Sequence, residues 1–303
     1  TKDEVVDDIH SYQNEADIPL LIGVDEEGGT VVRVSSNPNL RETPFLSPKD
    51  TYADGGWDAV KQDAEEKADL LLSLGINVNL APVCDMTSDE YGFMYDRSFS
   101  SDVDMENRYV RTVVETSKSK KLGTVLKHFP GYGNNSDTHT GIAYDDRDYS
   151  EFENTDFKPF YQGIESGADC ILVSHNIVNC MDSEYPASLS QKVHDILRNE
   201  FKFDGVIMTD DLIMDAITDF TGDEAAAVTA AKCGNDLLCC SSVDTQYPAV
   251  LEAVQNGEIP EAQVDASVKR ILKWKQNLGI FNIDTYQKKV KSTEPTDTVG
   301  SEE

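Results

Sequence analysis

The chain has 303 residues and a formal charge of −30, from 26 Lys and Arg against 56 Asp and Glu. At 39% hydrophobic and 8% aromatic it has a globular composition, enough for one large domain or two ordinary ones. So negative a field repels phosphate backbones and anionic lipid, which argues against nucleic-acid and membrane-surface partners, and no apolar run reaches the ~18 residues of a spanning helix.

In chain order, six short apolar runs read as strands buried on both faces: LLIGVD (20–25), INVNLAP (76–82), GTVLKHF (123–129), CILVSHN (170–176), GVIMTD (205–210) and DLLCCSS (236–242). Amphipathic patterns predict helices over 57–74, 103–120, 151–165, 191–201 and 224–233, and Gly75, Gly167 and Gly234 each stand between such a helix and a strand. Two more follow, over 246–255 and over 260–278, the last opening on Pro260, stopping at Gly279 and expected to pack on the outside. The alternation predicts an α/β fold with a parallel sheet and crossover helices. Without a Gly-rich dinucleotide fingerprint, it favours a (β/α)₈ TIM barrel, of which six units are visible. Residues 1–284 read as one domain, and 285–303, polar and without periodicity, as a flexible tail.

The six cysteines form no CxxC pair. Cys84, Cys239 and Cys240 lie in apolar runs, where a thiol acts as a small buried hydrophobe, so neither a disulfide framework nor a zinc pattern is expected. Polar residues instead collect where strands end, which in a barrel is where chemistry sits. They are Asp25, Asp85, Lys127 with His128, His175, and Asp210 with Asp211. The stretch KHFPGYGNNSDTHTG (127–141) adds Asp137 and His139, two residues apart in a glycine-bearing loop. The alternative for that pair is a polar surface turn. His10 and His194 read as non-catalytic.

These residues resemble glycoside hydrolase family 3. The run ILRNEFKFDGVIMTDD fits its signature at Ile196, Leu197, Arg198, Glu200, Gly205 and Asp210. The 127–141 stretch resembles the mark of the β-N-acetylhexosaminidase branch. IGVDEEGG through Arg33, NLAPVCD, DRSF, SHN, YPASLS and AVQNGEIPEAQVDASVKRIL fall in the same order, and the likeness spans about residues 15–280. Two departures stand out. Tyr132 occupies the position of a histidine in the family's PGHG, and two strands that the family places before IGVDEEGG are not visible.

The resemblance implies a retaining, exo-acting β-N-acetylglucosaminidase acting on cell-wall fragments or chitin oligosaccharides, with a carbohydrate substrate and no metal or cofactor. Asp210 would be the nucleophile, with His139 as acid/base and Asp137 as its partner. An imidazole titrating near pH ~6.5 suits proton donation followed by proton uptake. The loop glycines would let the pair close over bound sugar. Asp25, Arg33, Arg97, Lys127, His128 and His175 would hold the sugar, with an ion-pair role the alternative for Arg33. Asp211 reads as structural. The rival readings are a β-glucosidase-type member, a metal-dependent barrel hydrolase using His128, Asp137, His139, His175 and Asp210, and a non-catalytic sugar-binding fragment. The acidic surface and the Thr/Ser/Glu tail point to a secreted or surface-attached protein, with the cytoplasm as the alternative; the oligomeric state is left open.

Overall fold

The computed structural model describes residues 1–135, 141–221 and 223–287. Helix α1 (Lys2–Glu15), not among the expected elements, starts at a capping box in which Thr1 accepts from Glu4 N. Strand β1 (Gly23–Val24) runs into a hairpin of β2 (Glu26–Gly28) and β3 (Val31–Val32). Helix α2 (Pro48–Leu74) begins earlier than the expected 57 because Ser47 caps it and Pro48 opens it, and a kink at Gly55–Gly56 hides that first part from the periodicity. Then come β4 (Val78–Asn79), α3 (Val103–Ser119), β5 (Gly123–Phe129) and β6 (Tyr144–Asp145).

The helix expected over 151–165 is two, α4 (Tyr149–Asn154) and α5 (Phe157–Ser166). Pro159 cannot continue a helix through Thr155, since it lacks the N–H and its ring would meet that carbonyl. Asp156, at the break, pairs with Arg147 instead (2.9 Å). Strands β7 (Cys170–Val173) and β8 (Ile177–Val178) follow. Helix α6 (Gln191–Asp195) runs on as a π turn over Ile196–Glu200 before β9 (Val206–Thr209). The chain closes with α7 (Asp215–Thr221), α8 (Asp223–Lys232), α9 (Val243–Gln255) and α10 (Glu261–Asn277).

The parallel sheet is curled, in the order β1-β4-β5-β7-β9. Residues 236–242 form no ladder. They contribute one bridge, Met208 to Leu237, because the Thr209 hydroxyl takes the Cys239 N–H (3.0 Å) that would extend the pairing. The sheet thus holds five strands and a sixth extended position among the described residues. Asparagines in β4 and just before it do the work of edge pairing: Asn77 bonds Ile22 N and Leu20 O, and Asn79 bonds Glu26 N and Glu26 O.

Side chains of β5 divide between two cores, with the alternation broken between Leu126 and Phe129. Val125 joins Val78, Cys170, Leu172, Val206 and Met208 inside the sheet's curve, where Trp274 of α10 and Leu278 just after it pack on the same cluster, so α10 does more than lie on the outside. Leu126 and Phe129 face outward with Phe152, Phe157, Phe160 and Phe201. Phe129 stacks on Phe157 at 5.5 Å and meets Phe160 and Phe201 edge-on, so large rings clamp α5 and the π turn to the strand. A helical turn over 283–287 extends past the expected tail boundary, with Tyr286 against Phe281. All six cysteines are free; Cys84 is buried as expected, whereas Cys239 and Cys240 are half-buried. No helix among the described residues is long and apolar enough to cross a membrane.

Candidate active site

The strand ends converge on a cavity of about 300 Å³. Its polar lining is Asp25, Arg33, Arg97, Lys127, His128, Asp210 and Asp211; its apolar lining is Val31, Leu80, Phe93, Tyr132, Leu172, Met208 and Cys239. Apolar walls with convergent charges suit a molecule with C–H faces and hydroxyl edges.

The hairpin after β1 is folded around a carboxylate. Glu26 is fully buried and accepts from the backbone N–H of Arg33 (3.0 Å), Val34 (2.7 Å) and Ser35, and from the Ser35 hydroxyl. This brings Arg33 to the cavity, exposed and without an ion pair among the described residues. Gly28 is obligatory in this turn, because at φ 103° an added Cβ would lie 2.1 Å from Leu46 O.

Next to it, Glu27 points inward and is 3% exposed. It takes two bonds from Arg97 (2.9 and 2.8 Å) and pairs with Lys127 at 2.6 Å. Lys127 also reaches Asp25 at 2.5 Å. Burial alone would raise the Glu27 carboxyl, but Lys127 and Arg97 together bring it down to about 2. Burial likewise works against the Lys127 ammonium, and Glu27 and Asp25 reverse this and raise its pKa. Because the Glu27 pKa is depressed on folding from 4.5, its contribution to stability is complete above pH 4.5 and disappears as the pH falls towards 2. Glu27→Ala leaves the half-buried Arg97 without its carboxylate and the buried Lys127 with Asp25 alone. Thermal unfolding should therefore show a loss of about 3–5 kcal/mol at pH 7, and a smaller further loss than wild type on acidification from pH 4.5 to 2.

Asp210 follows β9. Its N–H bonds Val173 O (3.2 Å), and its carboxylate accepts from Asp211 N (2.9 Å). Burial raises this carboxyl, but His175, His128, the Asp211 N–H and Lys127 outweigh it and hold the group below its ordinary value, ionised. His175 is fully buried and does not line the cavity. Its Nε2 lies 3.0 Å from Asp211 O and its Nδ1 2.7 Å from the Ser188 hydroxyl, so it acts on Asp210 from beneath. Asp211 accepts from Ile213 N, Ser241 N and the Ser241 hydroxyl, which ties down the loop, although it also borders the cavity. Upstream, Arg198 donates to Phe203 O (2.8 Å) and Gly205 O (2.7 Å) and pairs with Asp236 (2.5 Å), fixing the root of the strand that carries Asp210.

The structure thus brings Asp25, Arg33, Arg97, Lys127, His128 and Asp210 together and puts His175 behind them. Asp137 and His139 lie outside the described residues. Residues 2–274 match the family described as "Glycosyl hydrolase family 3 N terminal domain". The chain belongs to glycoside hydrolase family 3. A protein of Hydrogenovibrio crunogenus named β-hexosaminidase is 32% identical over 252 residues, covering 81% of this chain and 70% of that one. A β-hexosaminidase of Nitrosomonas eutropha is 32% identical over 249 residues, with shares of 80% and 70%. Among solved structures, a family 3 β-N-acetylglucosaminidase from Paenibacillus sp. superposes with a TM-score of 0.85 at 29% identity, over 92% of this chain. The chain spans about half of that protein, 55%.

Within this family 3 site, two residues went unassigned in the sequence. Glu27 holds Lys127 and Arg97, and Asp85, fully buried, holds His128 at 2.7 Å. The double acid before Gly-Gly was a signal for the first. The second stood among the strand-end residues without a role. Tyr132, the departure from PGHG, is 2% exposed and packs edge-on against Phe93 (5.0 Å) and His128 (5.3 Å). Among the described residues, no group of three or more His, Cys, Asp or Glu is arranged to hold a metal ion.

Proposed function

We propose that this chain is a retaining, exo-acting β-N-acetylglucosaminidase that releases terminal N-acetylglucosamine from cell-wall fragments or chitin oligosaccharides. The observation that carries this reading is an ionised Asp210 in a one-sugar cavity, flanked by Lys127 and His128 from the same strand that leads into the Asp137-x-His139 loop. The β-hexosaminidase names of the relatives point the same way.

In this mechanism the Asp210 carboxylate attacks the anomeric carbon as the glycosidic bond breaks. The imidazolium of His139 gives its proton to the departing oxygen, leaving a glycosyl ester on Asp210 and a neutral imidazole. That imidazole then takes a proton from water, whose oxygen attacks the same carbon and frees Asp210. Asp137 orients the ring and stabilises its charged form. Asp25 and Arg33 keep hydrogen-bonding capacity for sugar hydroxyls, and Lys127 and Arg97, already held by Glu27, are preorganised donors. His175 serves by holding the nucleophile side of the pocket rather than by touching sugar. We also propose that residues 1–284 form one catalytic domain on the (β/α)₈ plan and 285–303 a polar tail.

A panel of nitrophenyl glycosides tests the substrate assignment. Release from the β-N-acetylglucosaminide well above the plain β-glucoside is expected; the reverse preference would favour the β-glucosidase type. Exhaustive chelation should leave the rate unchanged, whereas loss restored by zinc or manganese would establish a metal-dependent hydrolase.

A further inference from the structure

Asp85 does not line the cavity, yet its carboxylate grips the cavity wall at three points. One oxygen, Oδ2, accepts from His128 N (2.9 Å) and faces His128 Nδ1 at 2.7 Å, while Oδ1 accepts from Tyr132 N at 2.7 Å. Both ends of the 128–132 turn are thereby closed onto one buried acid, with Gly131 N bonded to His128 O (2.8 Å) between them. The ring of Tyr132 meets the ring of His128 edge-on at 76° and is backed by Phe93. Asp85, His128 and Tyr132 form a closed cycle in which each member fixes the next.

The cycle has a chemical consequence. An ionised carboxylate only accepts, so Nδ1 of His128 must carry a proton. On the other side of the ring, Arg97 Nη2 stands 3.2 Å from Nε2, and a guanidinium only donates. The two neighbours demand the same tautomer: Nδ1–H, with a lone pair on Nε2. We propose that Asp85 is a positioning residue that locks His128 in this tautomer and orientation, so that Nε2 accepts from Arg97 and holds that guanidinium at the cavity for the sugar. This inference rests on the glycosidase reading only for the identity of the sugar.

The tautomer of His128 is readable by ¹⁵N NMR on histidine-labelled protein, with His128 assigned by loss of its signals in His128→Gln. The wild type should show Nδ1–H; a wild-type ring carrying its proton on Nε2 would overturn the proposal without any variant of Asp85. Asp85→Ala removes the acceptor at Nδ1 and leaves only the longer Arg97 contact at Nε2, so the preference for Nδ1–H should weaken, and KM for the 4-nitrophenyl β-N-acetylglucosaminide and the inhibition constant of free N-acetylglucosamine should each rise about tenfold. Asp85→Asn should rescue. Its one oxygen is best placed towards the two His128 donors, with the amide nitrogen opposing only Tyr132 N, so the ring keeps Nδ1–H and KM stays within about threefold of wild type. A folded Asp85→Ala enzyme with wild-type KM and inhibition constant, or an Asp85→Asn ring switched to Nε2–H, would overturn the proposal. If Asp85→Ala does not fold, the wild-type and Asp85→Asn spectra decide alone. A wild-type enzyme that cleaves no N-acetylglucosaminide would refute the proposed function but leave the tautomer result standing.

Discussion

Asp210→Ala should lower turnover on the N-acetylglucosaminide by roughly 10⁴-fold or more while leaving the affinity for N-acetylglucosamine within a fewfold of wild type. A nucleophile acts on the reacting carbon and contributes chiefly in the transition state, so its removal strikes kcat. The sugar-holding groups do not depend on it: Lys127 is fixed by Glu27 and Asp25, and Arg97 by Glu27. Loss of this partly buried anion should also leave the sheet folded, because β9 is held at its root by Arg198 and Asp236. Steady-state kinetics with calorimetric binding of N-acetylglucosamine separate the two effects. Turnover within about tenfold of wild type would remove Asp210 from the nucleophile's role.

The second large effect concerns the loop. His139→Ala should stall substrates with poor leaving groups, which need a proton on the departing oxygen. Dinitrophenyl sugars, which need little acid help, should still form the glycosyl ester on Asp210. Asp137→Ala should cost less, within the 10²–10⁴-fold range of positioned acid–base groups. It should also move the pH optimum down, because the imidazolium loses the carboxylate that favours its charged form. Rates on both leaving groups across pH check this. Wild-type rates for both variants on the poor leaving group would make the 131–141 segment a polar turn and nothing more.

How far the sequence could be read depended on where each residue's partners lie. The runs 123–129 and 205–210 were legible as strands because both their faces are buried, so their composition alone marks them. The run 236–242 looked the same by composition, but a single hydroxyl, that of Thr209, intercepts the N–H that pairing would need. Helix α1 escaped notice because its stripe is short, Val5, Val6 and Ile9 among charged residues, and only Ile9 is buried outright. In the site, Asp25, Arg33, Arg97, Lys127, His128 and Asp210 were found from their places at strand ends and in motifs. Glu27 was not, because its role is set by Arg97 and Lys127, far along the chain, and the double acid before Gly-Gly marks the residue without naming those partners. His175 shows the converse: its position in SHN gave its neighbourhood correctly, but burial beneath Asp211 decides that it faces the nucleophile's loop rather than the cavity.

The central proposal is double displacement at Asp210 on a β-linked N-acetylglucosaminide. Proton NMR of the sugar during the first minutes of hydrolysis of 4-nitrophenyl β-N-acetylglucosaminide tests it most directly, because the anomeric signals show which anomer is released before mutarotation equalises them. Double displacement predicts β-N-acetylglucosamine first, with the α anomer growing in only later. Release of the α anomer first, which requires single displacement by water, would contradict it.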